Sequence, residues 1–164
     1  MPRVLTAAVR SCALVLLVVI ATPVHAQTAD SAAVLAVVSR LFDAMAQRDT
    51  VAARAVLAPG TQIVSIRGDT TGVGPRVSSD TAFIRSLGSG HGQLRERLWS
   101  PTVLLRGPLA TVWAPYDFHL DGLRTHCGID AFTLVRTGSV WRVTGIAYTV
   151  ERRNCVDSPL GPPQ

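Results

Sequence analysis

Between Tyr116 and Phe132 the chain reads YDFHLDGLRTHCGIDAF, which places two histidines, three aspartates and a cysteine within seventeen residues. Elsewhere Ala, Val, Leu and Arg dominate, so reactive side chains concentrate here. Three chemistries can be built from such a set. An aspartate beside a histidine can act as general acid and base, because the carboxylate orients the imidazole and raises its basicity. Two histidines and a carboxylate can hold a transition metal. A cysteine beside a histidine can become an activated thiol. Which of these is available depends on which side chains share a face.

Asp121-Gly122 is a strong two-residue hairpin signal, and strand alternation then sorts the stretch. With Leu120 opposite Leu123, Asp117 falls opposite His126, Trp113 opposite Asp130, and His119 opposite Arg124. These share one side of the sheet, and the following turn adds Phe132, Leu134, Trp141 and Val143 to it. An apolar floor with a few convergent polar groups is how a small-molecule pocket is built. Asp117, His126 and Asp130 are therefore the catalytic candidates, with Trp113, His119, Phe132 and Trp141 as ligand-binding candidates. Asp130 would be costly to bury alone, so it serves as a base or pairs with an arginine or His126. In the same register Tyr116 faces Cys127 on the opposite side, where Tyr148 also lies. Neighbouring strand residues point to opposite faces, so His126 and Cys127 do not form a catalytic pair. Carrying the pairing across Gly107-Pro108 brings Glu96 opposite His119, with Pro101 disturbing that register. The spacing of His119, His126 and Asp117 matches no recognised metal motif, and no metal is expected. There is no phosphate-binding loop, dinucleotide fingerprint, nucleophile elbow or CxxC, so no cofactor is expected either.

The elements that must position these residues follow from periodicity. Apolar residues at 34, 37, 38, 41, 42 and 45 have helical spacing over residues 30–48, with Asp30 or Ser31 as N-cap. A second helix follows in TVAARAVLA, capped by Asp49 or Thr50 and stopped at Pro59-Gly60. TQIVSIR is a strand, GDTTGVGPRVSSD a loop, and TAFIRSL a third helix capped by Ser79 or Asp80. Everything later is strand-like: LRERLWSPTVLLR interrupted at Pro101, then LATVWAPYDFHL, RTHCGIDAFTLVR and VWRVTGIAYTVE. Helices first and an antiparallel meander after them mean an α+β fold.

The ends carry a different message. Arg3 and Arg10 precede the uncharged run SCALVLLVVIATPV, which ends in Val24-His25-Ala26, a basic and apolar leader with a small-residue cleavage site. Cleavage after Ala26 and export to the periplasm or medium are expected. A single domain over residues 27–156 and a disordered tail over 157–164 would remain. All 16 basic residues of the 164-residue chain are arginine, against 11 acidic ones. They are scattered, so no nucleic-acid partner is expected, nor any membrane contact once the leader is gone. Cys127 and Cys155 are left after cleavage. Export permits them to pair; the alternative is a buried Cys127 and a free Cys155.

The order of elements and two segments resemble one known group. LFDAMAQRDTVAARAVLAPGTQIV is similar to the opening of the nuclear transport factor 2-like superfamily, which includes SnoaL-like and ketosteroid isomerase-like domains. RTHCGIDAFTLVRTGSVWRV is similar to its closing hairpin, where a turn precedes a Trp-x-hydrophobic strand. The resemblance implies a cone: a curved antiparallel sheet wrapped around the N-terminal helices, with a pocket between them. It also implies an inward Asp, here Asp130, as a base in catalytic members, and a homodimer formed through the sheet. The tyrosine role of ketosteroid isomerase-like sites is not carried over, because Tyr116 and Tyr148 fall on the other face. The fold hosts both enzymes and binding modules. The expected function is therefore binding of a small apolar or amphipathic molecule in the pocket. A cofactor-independent isomerase, lyase or hydrolase using the Asp–His pair is one alternative, and a dimerisation or scaffold domain another.

Overall fold

A computed structural model describes residues 24–67 and 74–163. The leader expected over residues 1–26 falls mostly outside them. Three helices, α1 (Val24–Gln47), α2 (Thr50–Val56) and α3 (Asp80–Ser89), pack on one face of a seven-stranded sheet. The strands are β1 (Leu57–Arg67), β2 (Arg76–Ser79), β3 (Leu94–Leu98), β4 (Thr102–Arg106), β5 (Leu109–Leu120), β6 (Leu123–Thr137) and β7 (Val140–Val150). They run in the order β2-β1-β7-β6-β5-β3, with β4 also paired to β5. All neighbours are antiparallel except β1 and β7. The α+β architecture expected from the sequence is the one observed.

Local chemistry accounts for the boundaries. Asp49 caps α2, its carboxylate accepting from the amides of Val51 and Ala52 at 2.9 Å each. Ser79 caps α3 by accepting from the Ala82 amide, which relieves donors that a helix start leaves unpaired. The apolar stripe of α1 supplies Val34, Val37, Val38, Leu41, Ala44 and Met45 to the core. These meet Val112, Phe132, Leu134, Trp141 and Val143 from the concave sheet face. The stretch 94–106 forms two strands rather than one. Ser100 has a positive φ of 46° and Pro101 cannot donate to a ladder, so pairing breaks there and restarts at Thr102.

The register of the central hairpin differs from the simple alternation. Leu120 pairs with Leu123 and His119 with Arg124, as the Asp121-Gly122 turn requires, but Phe118 then pairs with His126. Thr125 is the extra residue, a β-bulge that shifts every later pair by one. Asp117 consequently lies opposite Cys127, Tyr116 opposite Gly128, Ala114 opposite Asp130, and Trp113 opposite Ala131. A second irregularity, between Thr133 and Leu134, keeps Leu134 opposite Val143.

Cys127 and Cys155 form a disulfide with their Cα atoms 5.8 Å apart. In the chain-entropy account a bridge over a separation of 28 residues contributes about 3.5 kcal/mol. Beside it, the Cys127 and Glu151 backbones exchange two hydrogen bonds of 2.9 Å. The segment expected to be a disordered tail lies near the convex face. Gly161 O accepts from Arg97 Nη1 at 2.9 Å, and Asp157 sits 3.4 Å from Arg124.

Gly128 permits the close approach of β7. A Cβ there would run into the Thr149 carbonyl oxygen, the same atom that accepts from Tyr116 Oη at 2.7 Å. Gly128→Ala is expected to cost about 2 kcal/mol and lower the melting temperature by roughly 6 °C. Gly74→Ala, where nothing lies within 4 Å of the added carbon, should leave melting unchanged. Equal melting of the two variants would contradict this packing.

Candidate functional site

The cone encloses a cavity of about 390 Å³ between the helices and the concave sheet face. Leu41, Phe42 and Met45 of α1, Phe83 and Leu87 of α3, and Phe132 and Ile146 of the sheet supply its apolar wall. Its polar groups come from four adjacent strands. They are Glu96 on β3, Tyr116 on β5, and His126 and Asp130 on β6, with Tyr148 opposite Asp130 on β7.

At the mouth, the loop after α3 is held from two sides. Arg48, which ends α1 with a positive φ of 54°, donates to the carbonyls of Leu87, His91 and Gly92. Across the opening, Asp121 accepts from the Gln93 amide at 2.7 Å and donates its own amide to Gln93 O. Gly92 has φ +80°, and a side chain there would meet the Asp121 carboxylate within 3 Å.

Asp130 is 1% exposed and its carboxyl is hydrogen-bonded to that of Glu96. Burial pushes Asp130 up to about 7, against the opposing pull of the Glu96 hydrogen bond. Glu96 is raised well above the ordinary carboxyl range by burial first, then by the charge and hydrogen bond of Asp130. Two carboxyls this close in an apolar setting cannot both ionise near neutral pH, so they share a proton. Asp130 Oδ2 has no partner among the described residues.

The other polar groups are neutral and largely engaged. Burial, and then the charge of Arg152, lower His126 to about 4. Its ring stacks on Phe118 with centroids 4.9 Å apart, and its Nδ1 lies 2.8 Å from Thr125 Oγ1. The bulge residue thus orients the histidine that it turns inward. Tyr116 is raised by burial and donates to Thr149 O. Tyr148 is also raised, burial outweighing its hydrogen bond with Ser65.

Three expectations about the site are corrected by the bulge. Asp117 does not meet His126; it lies on the opposite face in a bidentate pair with Arg97, at 2.9 and 2.5 Å. His119 lies beside it, with Nδ1 3.7 Å from Asp117, held neutral chiefly by burial and 3% exposed. Trp113 is 55% exposed on that same outer side, and so does not floor a pocket. Trp141 is on the concave side but is buried in the core beyond the cavity lining, whereas Phe132 lines the cavity. His119 and Asp117 are thus separated from His126, and the described residues hold no group of three ligands placed for a metal. Conversely, Tyr116 and Tyr148 face inward.

Glu96 was the residue sequence reasoning undervalued. It pairs with Phe118, not His119, so it points into the cone beside Asp130. The available signal was composition: Glu96 is one of only two glutamates in the whole chain, and it sits in an otherwise arginine-flanked strand.

No protein-family model matches this sequence, and no curated protein matches it. Solved structures do match. A nuclear transport factor 2-like protein of unknown function from Silicibacter pomeroyi aligns over 76% of this chain and 98% of its own, at 18% identity and TM-score 0.58. A Mycobacterium tuberculosis protein of unknown function aligns over 81% and 78% at 13% identity and TM-score 0.66. The fold is that of the nuclear transport factor 2-like proteins. A third similar structure, from Streptomyces avermitilis, is a proposed dehydratase of the nuclear transport factor 2-like family, with 13% identity, 76% and 97% coverage and TM-score 0.60. At these identities the likeness of nuclear transport factor 2-like proteins carries architecture and not activity.

The raised Asp130 fixes a sign for stability against pH. The folded state holds a proton that an unfolded carboxyl releases near its ordinary 3.8, so stability falls as pH rises from there through about 7. Asp130→Asn removes that penalty and is expected to be more stable than wild type at pH 8 by on the order of 1–3 kcal/mol. The gap should shrink toward pH 4 in denaturant titrations. Parallel stability curves for the two proteins would contradict the assignment.

Proposed function

We propose that this protein binds a small amphipathic molecule in the cone cavity, its apolar body against the helices and its polar end at Glu96 and Asp130. The observation that carries this reading is the unpartnered Oδ2 of a buried aspartate facing a largely apolar cavity of about 390 Å³. A buried acceptor left unpaired costs about 1–3 kcal/mol, which a bound donor recovers. Export of the protein belongs to the same proposal and is supported by the Cys127–Cys155 disulfide, a bond that persists in oxidising compartments.

One observation favours a second, catalytic reading. A carboxyl pair whose proton is exchangeable near neutral pH suits general acid–base chemistry, and the Streptomyces avermitilis neighbour is a proposed dehydratase. In this reading Asp130 takes and returns the proton and Glu96 sets its affinity. The Asp117–His126 pair is replaced by the carboxyl pair.

Binding of an environment-sensitive apolar fluorophore tests the pocket. Ser86 lines the mouth and is exposed, so Ser86→Trp should obstruct entry without disturbing the core. Affinity is expected to fall at least about tenfold, equal to 1.4 kcal/mol, with the melting temperature preserved. Unchanged affinity in Ser86→Trp would remove the cavity as the binding site. Conversion of a bound compound, lost in Asp130→Asn, would favour the catalytic reading; recovery of that compound unaltered would favour binding alone.

A further inference from the structure

The polar end of the cavity is unbalanced between acceptors and donors. Tyr116 Oη is committed to Thr149 O, and Tyr148 Oη accepts from Ser65. The Thr125 hydroxyl lies 3.3 Å from Phe118 O and 2.8 Å from His126 Nδ1, which ties up that edge of the imidazole. Glu96 and Asp130 are hydrogen-bonded to each other, which occupies a carboxyl proton. What is left unpaired is acceptor capacity, the buried Asp130 Oδ2, beside the second carboxyl of Glu96.

Charge is unbalanced in the same direction. Among the described residues no arginine forms an ion pair with Glu96 or Asp130. Arg48, which lines the mouth, spends its guanidinium on three backbone carbonyls, and Arg97 is held by Asp117 on the far face. Around the carboxyls stand the aromatic rings of Tyr116, Phe118, Phe132 and Tyr148, whose faces attract cations. An anionic ligand would meet uncompensated negative charge.

We propose that the cavity selects a small apolar amine, its ammonium group seated on Asp130 and Glu96 and its body against the aromatic and aliphatic wall. The proposal rests on the pocket reading above and adds the chemical class of the ligand. A charge-assisted N–H to carboxylate bond is roughly twice as strong as a neutral one, and an ammonium supplies three donors to a site whose buried carboxyl oxygen has no partner. Seating a cation also favours the ionised pair, so binding expels the shared proton. His126 stays neutral throughout, being lowered to about 4. His91 and Arg48 complete the titratable and charged lining, at the mouth.

The test is a matched series: naphthylmethylamine, naphthylmethanol and naphthoate, titrated by calorimetry near pH 7 in two buffers of different ionisation enthalpy. The amine is expected to bind at least about tenfold more tightly than the alcohol, with release of up to one proton and with affinity that weakens toward pH 5. Naphthoate should not bind measurably. Asp130→Asn, and independently Glu96→Gln, should bring amine and alcohol to similar affinity, with thermal melts confirming that each variant is folded. If the alcohol matches or exceeds the amine in wild type, the amine proposal is overturned and the pocket reading stands. If none of the three binds, both fall. An amine preference that survives in both folded variants would place the ammonium elsewhere and also overturn the proposal.

Discussion

A single residue, Thr125, stands between two registers of the central hairpin. Below it His119 pairs with Arg124 as the tight turn demands, and above it Phe118 pairs with His126. Because side chains alternate with a period of two, one inserted residue reverses the facing of everything beyond it on β6 relative to the turn. His126 and Asp130 are thereby delivered to the concave face with Tyr116 and Phe118, while Asp117 and His119 are turned outward. The bulge residue then uses its own hydroxyl to hold the His126 ring. Gly128 and the Tyr116–Thr149 bond fix the next pairs in place. The cavity's chemistry is a consequence of that one insertion.

The two faces handle buried charge in opposite ways. On the convex side Asp117 is satisfied by a bidentate arginine and its neighbourhood is crossed by the tail, with Gly161 O on the same guanidinium. Such a pair is costly to break but leaves nothing to offer a ligand. On the concave side the carboxyls have only each other, and burial is resolved by retaining a proton. The core formed by α1 against β5, β6 and β7 must stabilise the fold against that penalty, which grows with pH. A group kept strained in this way, in a cavity with aromatic walls, is a place where a ligand can release the stored cost.

Much of this was legible from residues alone. The apolar spacing of α1, the Asp49 and Ser79 caps, and the Asp121-Gly122 turn each express a local rule that tertiary structure left intact. Asp130 and His126 are legible as inward because they share β6 and its alternation with the core residue Phe132, a relation that does not pass through the hairpin register. Asp117, His119 and Trp113 were assigned to the wrong side because their relation to β6 passes through Thr125. No side-chain type announces a bulge of this kind, since Thr is an ordinary strand residue. Glu96 was blurred by the Pro101 break, which ends β3 and lets β4 pair with β5 independently. The short strand β2 was hidden in a loop rich in Gly, Ser and Thr, because its pairing with β1 comes from the sheet edge rather than from its own pattern.

The pair of carboxyls sharing a proton is the centre on which site, pH response and ligand class all depend. An isotope-edited NMR titration of the Glu96 and Asp130 side-chain carboxyls in the unliganded protein measures it directly. Two coupled steps are expected, both displaced well above the ordinary carboxyl range and with Asp130 at about 7, and Asp130→Asn should abolish the coupling. Two independent titrations below about pH 5, as for ordinary carboxylates, would contradict the shared proton.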